Sequence, residues 1–344
     1  MKVAHVHRIG GIGGSERHVL TLLPALAAKG VDVRFVGLDM PGADPFYEEL
    51  GVPYERLTHA WQLRRALQGA ELVHTHLVHA DVFGALTTRK PTVSTKHNPD
   101  PFRAGPWRFA ERALARRARR IVAISEAVRR FNVDEVGLPE KKIEVVHYGL
   151  DALPEPWGEN PELPIRKGSP LLLCVARLAP QKGVDTAIRA LASIPEATLL
   201  VLGEGPERAT LEALARELAV ADRVLMPGRV GDIAAFYRRC DVVVHPARWE
   251  GFGLAMLEGM LAAKPVVAAR AGSAPEIVAD GMTGLLVPPD DPHALAAAVT
   301  SMLADRQRAE MYGTIGLGRA RAQFSVERMA QRTLAVYERA ASSR

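Results

Sequence analysis

The feature that most constrains the fold is an alternation of short β-branched runs with longer segments of helical periodicity. In the first half of the chain the predicted strands are residues 3–7, 31–36, 72–75, 92–95, 121–123 and 143–146. The predicted helices between them are residues 16–29, 78–89, 107–119 and 126–131. Because strands that alternate with helices pair in parallel, this half predicts a parallel sheet with helices on both faces.

The alternation restarts after residues 153–170, a segment rich in proline and glycine and without periodicity. The second set of predicted strands is 171–176, 197–202, 224–226, 242–245, 266–268 and 285–287, and its helices include 207–219 and 255–263. A chain of 344 residues is long enough for two such domains. We therefore expect a first domain at 1–152, a linker at 153–169 and a second domain at 170–325.

The end of the chain has a different pattern. After Pro292 it is helical throughout, which predicts two or three helices, the last near residues 326–341. Two or three helices are more than are needed to cover one face of the second sheet. We expect the final segment, residues 326–344, to pack on the first domain.

Composition excludes several classes of protein. The chain has two cysteines, Cys174 and Cys240, both in apolar surroundings, which excludes a disulfide framework and predicts buried free thiols. Its apolar stretches are far shorter than the roughly 20 residues of a membrane-spanning helix, and its first residues lack the pattern of a signal peptide. These features predict a cytoplasmic protein.

The charge pattern indicates an anionic partner. The net charge of +5 and the pI near 9.3 fit a phosphate-bearing substrate, an acidic membrane or nucleic acid, and do not choose among them. A local signal is the recurrence of Arg108, Arg112, Arg116 and Arg120 at every fourth position, which on one helix makes a basic stripe. The stripe predicts either a peripheral contact with anionic lipid at the inner membrane face or a solvated surface.

A glycine-rich segment, residues 10–16, follows the first predicted strand and opens a helix. Glycines allow a backbone to approach an anion closely, and free N–H groups at a helix start favour phosphate. The dinucleotide fingerprint requires a third glycine where this chain has Glu16, although Asp39 ends the second strand where a ribose-binding acid would lie. Two interpretations of this segment therefore remain: a cofactor-binding loop of an NAD-dependent enzyme, or a tight turn between strand and helix without a ligand.

Two cations lie on one loop of the second domain. Arg177 and Lys182 follow the first strand of that domain, at the carboxyl end where ligands bind in open α/β sheets. Together they could hold a pyrophosphate through charge-assisted hydrogen bonds. As isolated residues they would be solvated surface charges.

Two glutamates, Glu250 and Glu258, bracket the start of a predicted helix eight residues apart. Carboxylates accept hydrogen bonds from vicinal hydroxyls, so a sugar and a ribose are natural ligands. The backbone amides of Phe252, Gly253 and Leu254 could meet phosphate or sugar oxygens.

Together these segments resemble the retaining GT-B glycosyltransferases often called group one, or family four. The resemblance covers essentially the whole chain, and its most specific element is the pair Glu250 and Glu258 in the Glu-x₇-Glu pattern. The matching segments are 13–16, 74–76, 95–97, 177–183, 203–206, 227–230, 250–258, 273–278 and 280–287.

The resemblance implies an α/β fold of two Rossmann-like domains that face each other across a cleft, with C-terminal helices crossing back to the first domain. It implies transfer of a sugar, with retention, from a nucleotide-diphosphate sugar to a hydroxyl acceptor. The acceptor is a lipid, a polysaccharide or a small metabolite, and no nucleic acid partner is expected.

The resemblance also implies roles for individual residues. Glu250 would contact the sugar hydroxyls, Glu258 the ribose, and His97 would lie beside the reacting sugar. The implied catalytic residues are His97, Arg177, Lys182 and Glu250. The implied donor-binding residues are Gly13, Gly14, Arg229, Val230, Phe252, Gly253, Leu254 and Glu258. On the acceptor side the implied residues are Glu16 and His76.

No residue is an evident covalent nucleophile, so the resemblance implies a front-face reaction in which the departing phosphate assists deprotonation of the acceptor. The chain has no Asp-x-Asp motif to hold a metal, and Arg177 and Lys182 could neutralise the leaving phosphate instead. We expect neither a metal ion nor a cofactor. His5 and His7 are interpreted as strand-end residues without a role, and no metal-ligand spacing is predicted among the histidines.

Three alternatives remain. A sugar-nucleotide epimerase or a phosphorylase would keep this fold and change the reaction. A non-catalytic scaffold that binds a sugar nucleotide would keep the site without turnover. An NAD-dependent dehydrogenase would use the glycine-rich segment alone.

Overall fold

The computed structural model describes residues 1–156 and 158–342, which form two compact units. The first unit comprises Met1–Gly149 together with the segment from Phe324 onward, and the second comprises Leu150–Gln323. Trp157, in the predicted linker, and Ser343 and Arg344, at the end of the predicted C-terminal segment, lie outside the described residues.

The first unit is built on a parallel sheet of seven strands in the order β3-β2-β1-β4-β5-β6-β7. Its strands are β1 (Lys2–Ile9), β2 (Asp32–Asp39), β3 (Tyr54–Leu57), β4 (Leu72–His76), β5 (Thr92–Lys96), β6 (Arg120–Ala123) and β7 (Ile143–Val145). Its helices are α1 (Gly14–Ala28), α2 (Asp44–Glu49), α3 (Leu63–Ala66), α4 (Leu77–Thr87), α5 (Trp107–Arg117) and α6 (Glu126–Phe131). The predicted parallel sheet is confirmed.

The second unit contains a parallel sheet of six strands in the order β10-β9-β8-β11-β12-β13. Its strands are β8 (Leu171–Val175), β9 (Thr198–Leu202), β10 (Val224–Gly228), β11 (Val242–His245), β12 (Val266–Ala269) and β13 (Gly284–Val287). Its helices are α7 (Val184–Leu191), α8 (Arg208–Glu217), α9 (Ile233–Arg239), α10 (Leu254–Leu261), α11 (Ala274–Ile277), α12 (Pro292–Ala304) and α13 (Arg306–Gln323).

The inner strands of the second sheet are buried on both faces, which is why β8, β9, β11 and β12 are almost entirely apolar. In β8 the first four residues are at most 3% exposed. Cys174 and Cys240 are both buried and free, as predicted, and burial raises the pKa of each thiol to about 12. Both side chains are therefore neutral packing groups.

The three helices after Pro292 do not behave alike. Helices α12 and α13 pack on α7 and α10 within the second unit. Helix α14 (Val326–Ser342) packs on α1 in the first unit, as expected for a returning C-terminal helix. There Lys29 Nζ lies 2.6 Å from Glu327 Oε1, and the Tyr337 ring is fully buried.

The predicted basic stripe is shorter than expected. Helix α5 ends at Arg117, so Arg120 does not extend the stripe but begins β6, with its Nε 3.5 Å from Glu144 Oε1. The stripe is therefore limited to Arg108, Arg112 and Arg116. No helix among the described residues is long and apolar enough to cross a membrane.

Gly149, which follows β7, lies against the backbone at the start of α14, and this contact leaves no room for a side chain. A Cβ added there would lie 2.4 Å from the Ser325 carbonyl oxygen and 2.7 Å from Val326 Cα, both backbone atoms. Gly149→Ala should therefore lower the unfolding free energy by about 1–3 kcal/mol.

Gly318→Ala is the matched control for that substitution. Gly318 lies within α13 and has open space at its Cβ position, so alanine should stabilise the helix by about 0.5–1 kcal/mol. Denaturant unfolding measures both variants. Equal effects of the two substitutions would contradict the close backbone approach at Gly149.

Candidate active site

The loop after β8 carries the first two predicted site residues of the second unit. Arg177 is exposed there, and Lys182 ends the short 3₁₀ turn Pro180–Lys182. Gly183 follows with φ +62°, and a Cβ on it would lie 2.1 Å from the Pro246 carbonyl oxygen. Glycine is therefore required for this loop to lie against the loop that follows β11.

Lys182 and Glu250 form an ion pair whose carboxylate is buried and whose ammonium is partly buried. Lys182 Nζ lies 2.5 Å from Glu250 Oε2, and the side chains are 19% and 8% exposed. His245 Nε2 lies 3.0 Å from the same oxygen, and the Gly251 amide donates to Glu250 Oε1 at 3.1 Å. Burial would raise the pKa of Glu250, but the Lys182 ammonium and His245 outweigh it, so the pKa of Glu250 is lowered and the group is a carboxylate.

The backbone around Glu250 is held from a third loop. Gly272, after β12, has φ +53°, and a Cβ on it would lie 2.2 Å from the Glu250 carbonyl oxygen. The Ser273 hydroxyl donates to the Phe252 carbonyl at 2.6 Å, and the Phe252 side chain is buried. Gly253, with φ +88°, is the N-cap of α10 and Leu254 is its first residue, so their amides are at a helix start.

Glu258 is the fifth residue of α10, about one turn from the start of the helix. Its side chain is buried, and its Oε2 accepts a 2.7 Å hydrogen bond from the Tyr237 hydroxyl on α9. At the end of β10, Arg229 is exposed and Val230 is buried. The side chains of Glu250 and Glu258 are therefore both buried, and Glu258 does not lie on the exposed surface of its helix.

In the first unit the glycine-rich segment forms the start of α1. Gly13 is the N-cap, and its amide donates to Glu16 Oε2 at 3.0 Å, an oxygen that the Ser15 hydroxyl also reaches at 3.0 Å. Glu16 thus closes the first turn of the helix that Gly14 begins. Its other oxygen, Oε1, lies 3.5 Å from His7 Nε2.

His7 is a buried neutral base. Its Nδ1 is 2.9 Å from the Arg8 carbonyl oxygen and must donate to it, so Nε2 carries the lone pair. Burial lowers the pKa of His7 more than Glu16 and the Arg8 carbonyl raise it. His7 Nε2 has no hydrogen-bond partner within the described chain. His7 thus lies near the end of β1, as interpreted from the sequence, and its ring is buried there.

Seven buried side chains of the first unit form one continuous chain of hydrogen bonds, which we call the histidine chain. In order they are Thr95, His74, Tyr337, His5, His76, His97 and Tyr148. The first five links measure 2.6, 2.6, 3.1, 3.0 and 3.1 Å. A neutral imidazole donates at one nitrogen and accepts at the other, so His5, His76 and His97, which are bonded ring to ring, must all hold their protons in the same sense.

This arrangement constrains two predicted site residues. Both ring nitrogens of His97 are used, one by His76 and one by the Tyr148 hydroxyl, and both nitrogens of His76 are used as well. Burial lowers the pKa of both residues, helped by neighbouring histidines. Both histidines are neutral, and the hydrogen bonds of the histidine chain set their tautomers.

The same cluster contains a histidine grouping that sequence spacing did not indicate. Ring nitrogens of His5, His74 and His76 all lie within 4.8 Å of one another, a spacing that could hold an ion. The parallel register pairs His5 with His74, and His76 lies two residues further on the same face, so the grouping is invisible in sequence spacing. His5 is also buried in the middle of β1 and is not at its end. An ion would have to break bonds of the histidine chain.

The structure thus assembles separate groups of predicted residues. Lys182 joins Glu250 in the second unit, and His76 joins His97 in the first, whereas Arg177 and Arg229 are exposed on their loops. Sequence reasoning missed His245 and Tyr237, which contact the two glutamates. The position of His245 as the last residue of β11 could have indicated it, because ligands bind at the carboxyl ends of such strands.

Comparisons with known proteins identify relatives over the whole chain. Residues 157–317 match the family model described as "Glycosyl transferases group 1", and residues 12–152 match "Glycosyltransferase Family 4". The lipopolysaccharide core biosynthesis mannosyltransferase LpcC of Rhizobium leguminosarum bv. viciae is 30% identical over 353 residues, 95% of this chain and 93% of that protein. The alpha-maltose-1-phosphate synthase of Mycolicibacterium smegmatis is 29% identical over 378 residues, 95% of each.

A solved structure shows the same architecture. Anabaena HepE in complex with UDP has a TM-score of 0.85 and 25% identity, covering 98% of this chain and 100% of that one. The sucrose-phosphate synthase of Thermosynechococcus elongatus has a TM-score of 0.82 and 25% identity, covering 98% of each chain.

The buried histidines should make stability depend on pH. Burial lowers the pKa of His5 and His18 to about 3, whereas an unfolded chain binds these protons near pH 6.5. The unfolded state therefore binds more protons as pH falls below 6.5, and the unfolding free energy should fall by about 1.4 kcal/mol per pH unit for each such group. Denaturant unfolding between pH 7 and about 5 measures the slope, above the range where carboxylates titrate.

His18→Phe tests one group of this set and removes none of the six hydrogen bonds of the histidine chain. The His18 ring stacks on Tyr148, and phenylalanine keeps that contact while removing the titrating nitrogen. The slope should decrease, whereas replacement of the exposed His59 by glutamine should leave it unchanged. An identical slope in wild type and His18→Phe would contradict the buried neutral state of His18.

Proposed function

The chain belongs to the group 1 glycosyl transferases, and on that premise we propose that it transfers a sugar from a nucleotide-diphosphate sugar to a hydroxyl acceptor with retention and without a metal ion. The observation that carries the proposal is the buried cluster of Lys182, Glu250 and His245 at the carboxyl ends of β8 and β11. The UDP complex of the similar Anabaena protein supports a nucleoside diphosphate as the leaving group.

We assign the leaving phosphates to the loop after β8. Departure of a nucleoside diphosphate builds negative charge, which preorganised cations stabilise. Lys182 Nζ has three donors, of which Glu250 takes one, so the others can reach a phosphate oxygen. Arg177, exposed on the same loop, is the second cation. These two charges replace the metal ion that an Asp-x-Asp motif would hold.

Glu250 would accept hydrogen bonds from the donor sugar. Its Oε2 is used by Lys182 and His245, whereas Oε1 accepts the Gly251 amide and retains a lone pair for a hydroxyl. Glu258, buried beside the Tyr237 hydroxyl, would hold the ribose. The remaining proposed donor contacts are the amides of Phe252, Gly253 and Leu254, the segment Arg229–Val230 for the base, and Gly13 and Gly14.

On the acceptor side we propose Glu16, His76 and His97. Because both ring nitrogens of His76 and His97 are engaged, we propose that they fix the shape of this side rather than transfer protons. Glu16 is 12% exposed and keeps one oxygen free of backbone bonds, so it can accept from an incoming hydroxyl.

The proposed reaction follows the front face of the sugar. The acceptor oxygen forms a bond to the anomeric carbon, the bond from that carbon to the phosphate oxygen breaks, and the hydroxyl proton passes to the departing phosphate. This route requires no covalent nucleophile. It retains the anomeric configuration of the donor.

We also propose that α5 makes a peripheral contact with an anionic membrane at its cytoplasmic face, which would suit a lipid acceptor. Trp107 and Phe109 on α5 are 63% and 61% exposed, and Phe102 just before it is 61% exposed. The guanidinium groups of Arg108 and Arg112 lie over the Phe109 ring. Aromatic rings beside arginines are typical of interfacial segments, because the rings enter the headgroup region while the charges meet anionic lipid. A solvated face would not need three exposed aromatic rings.

The donor can be identified by thermal stabilisation. A ligand that binds only the folded state raises the melting temperature, so one family of UDP, GDP or ADP sugars should stabilise the protein, equally with and without EDTA. Glu258→Ala should weaken the shift, whereas Glu217→Ala, at an exposed position on α8, should not. Loss of the shift with EDTA would contradict metal independence, and no shift with any donor would favour a scaffold.

Glu250→Gln should fold and lose activity. It keeps the shape of the side chain but removes the charge that Lys182 and His245 face, so kcat should fall by about a hundredfold or more. Glu217→Gln is the control, and donor turnover is measured with the sugar nucleotide identified by thermal stabilisation. NMR coupling constants of the product should show the donor's anomeric configuration, and an inverted product would contradict the front-face route.

Membrane contact is tested by flotation with liposomes. Protein should float with vesicles that contain phosphatidylglycerol and remain at the bottom with pure phosphatidylcholine. Replacing Trp107 and Phe109 by serine should abolish flotation, whereas replacing the exposed Trp61 by serine should not. Protein that stays in the soluble fraction with both vesicle types would refute the contact.

A further inference from the structure

A central strand of the first unit has an unusual composition on one face. Strand β5 lies between β4 and β6, a position where both faces of a parallel sheet are normally apolar. Thr92, Ser94 and Lys96 alternate along it and therefore share one face. On the opposite face Val93 packs in the apolar core. On the polar face Lys96 pairs with Asp81 and the Thr92 hydroxyl donates to the Lys90 carbonyl, whereas Ser94 has no partner among the described residues.

A cavity of about 1290 Å³ lies over this polar face. Its floor includes Thr92, Ser94 and Lys96, and its walls come from α4 and α5. Ligand sites in proteins typically measure about 300–1,000 Å³, so the space admits a small organic molecule. Exposed lining residues, among them Arg64 and Arg89, form its rim.

The cavity lining is strongly cationic. Its charged residues are Arg64, Arg89, Lys90, Lys96 and Arg117, against the single carboxylate of Asp81. The Asp81 carboxylate pairs with Lys96 at 2.5 Å and accepts a hydrogen bond from the Thr75 hydroxyl. Glu111, which does not line the cavity, lies 3.6 Å from Lys96 and pairs with Arg103. The other four cations of the lining therefore face no lining carboxylate that is still available.

Two of these cations are held in place without being neutralised. Lys90 Nζ donates to the Leu67 carbonyl at 3.1 Å and to the Ala70 carbonyl, and Arg117 donates to the Ala85 carbonyl. A backbone carbonyl orients a cation but leaves its net charge. The rim is therefore partly preorganised for an anion.

The floor offers a hydroxyl without a partner. Ser94 is 4% exposed, and its Oγ makes no hydrogen bond within the described chain. A buried hydroxyl without a partner destabilises the fold, so its place in a lining of this charge is consistent with a role in binding.

We propose that this cavity is a binding site for a phosphate-bearing molecule. Arginine and lysine of the rim would hold the phosphate through charge-assisted hydrogen bonds, and Ser94 would bond the deeper, polar part of the ligand. The phosphate can belong to a soluble ester or to a lipid headgroup, because α5 lines the cavity and also carries the exposed rings. The site is additional to the proposed donor site and does not depend on the proposed function.

The test is isothermal titration with glucose 6-phosphate and inorganic phosphate, and cosedimentation with phosphatidylglycerol vesicles. Both use the Lys182→Ala background, which removes the ammonium of the proposed donor loop. The double variant Arg64→Gln, Arg89→Gln should weaken binding about tenfold or more. Arg65→Gln with Arg332→Gln, two exposed positions that do not line the cavity, is the charge-matched control and should bind as the parent does.

Ser94→Ala gives an independent readout. Removing the unpartnered hydroxyl should raise the melting temperature without ligand and weaken the binding of the phosphate ester. Binding of glucose 6-phosphate that depends on Arg64 and Arg89 identifies a soluble ligand, and dependence seen only with vesicles identifies a lipid headgroup. Absence of binding to all three probes, or an equal loss in the control variant, would overturn the proposal.

Discussion

The ion pair between Lys182 and Glu250 is the interaction on which the second unit's site depends. It joins the loop after β8 to the loop after β11. Gly272 and Ser273, in the loop after β12, contact the backbone of the loop after β11 and hold it in place. Removing one partner of a buried pair costs more than the pair contributes, because a buried charge is left uncompensated. The geometry of the proposed donor contacts is therefore coupled to the charge state of one carboxylate.

The first unit also buries polar side chains, but it satisfies them through hydrogen bonds between neutral groups. Four neutral histidines and two tyrosines satisfy one another through hydrogen bonds in a region where an isolated imidazolium would be costly. Each link requires one proton, so the chain behaves as a unit rather than as separate residues. His97 thus depends on Tyr337, although the two do not touch.

The architecture was largely predictable, and the contacts between distant residues were not. Apolar periodicity placed the strands of both sheets, except β3, whose polar sequence on a sheet edge leaves no pattern. The glutamate pair was recognised from its spacing, whereas Tyr237 and His245 reach it only through the tertiary fold. His5 and His74 meet through strand register, and Arg120 left the expected stripe because α5 stops three residues earlier.

The link between Tyr337 and His5 spans 332 positions along the chain. Contacts so far apart in sequence form late, because a long loop must close before they contribute. During synthesis the strands of the first unit emerge first, yet their polar core stays incomplete until α14 has been made. The second unit, whose residues are contiguous, can reach its native packing before the first does. The polar core of the first unit is thus completed only after the whole second unit has been synthesised.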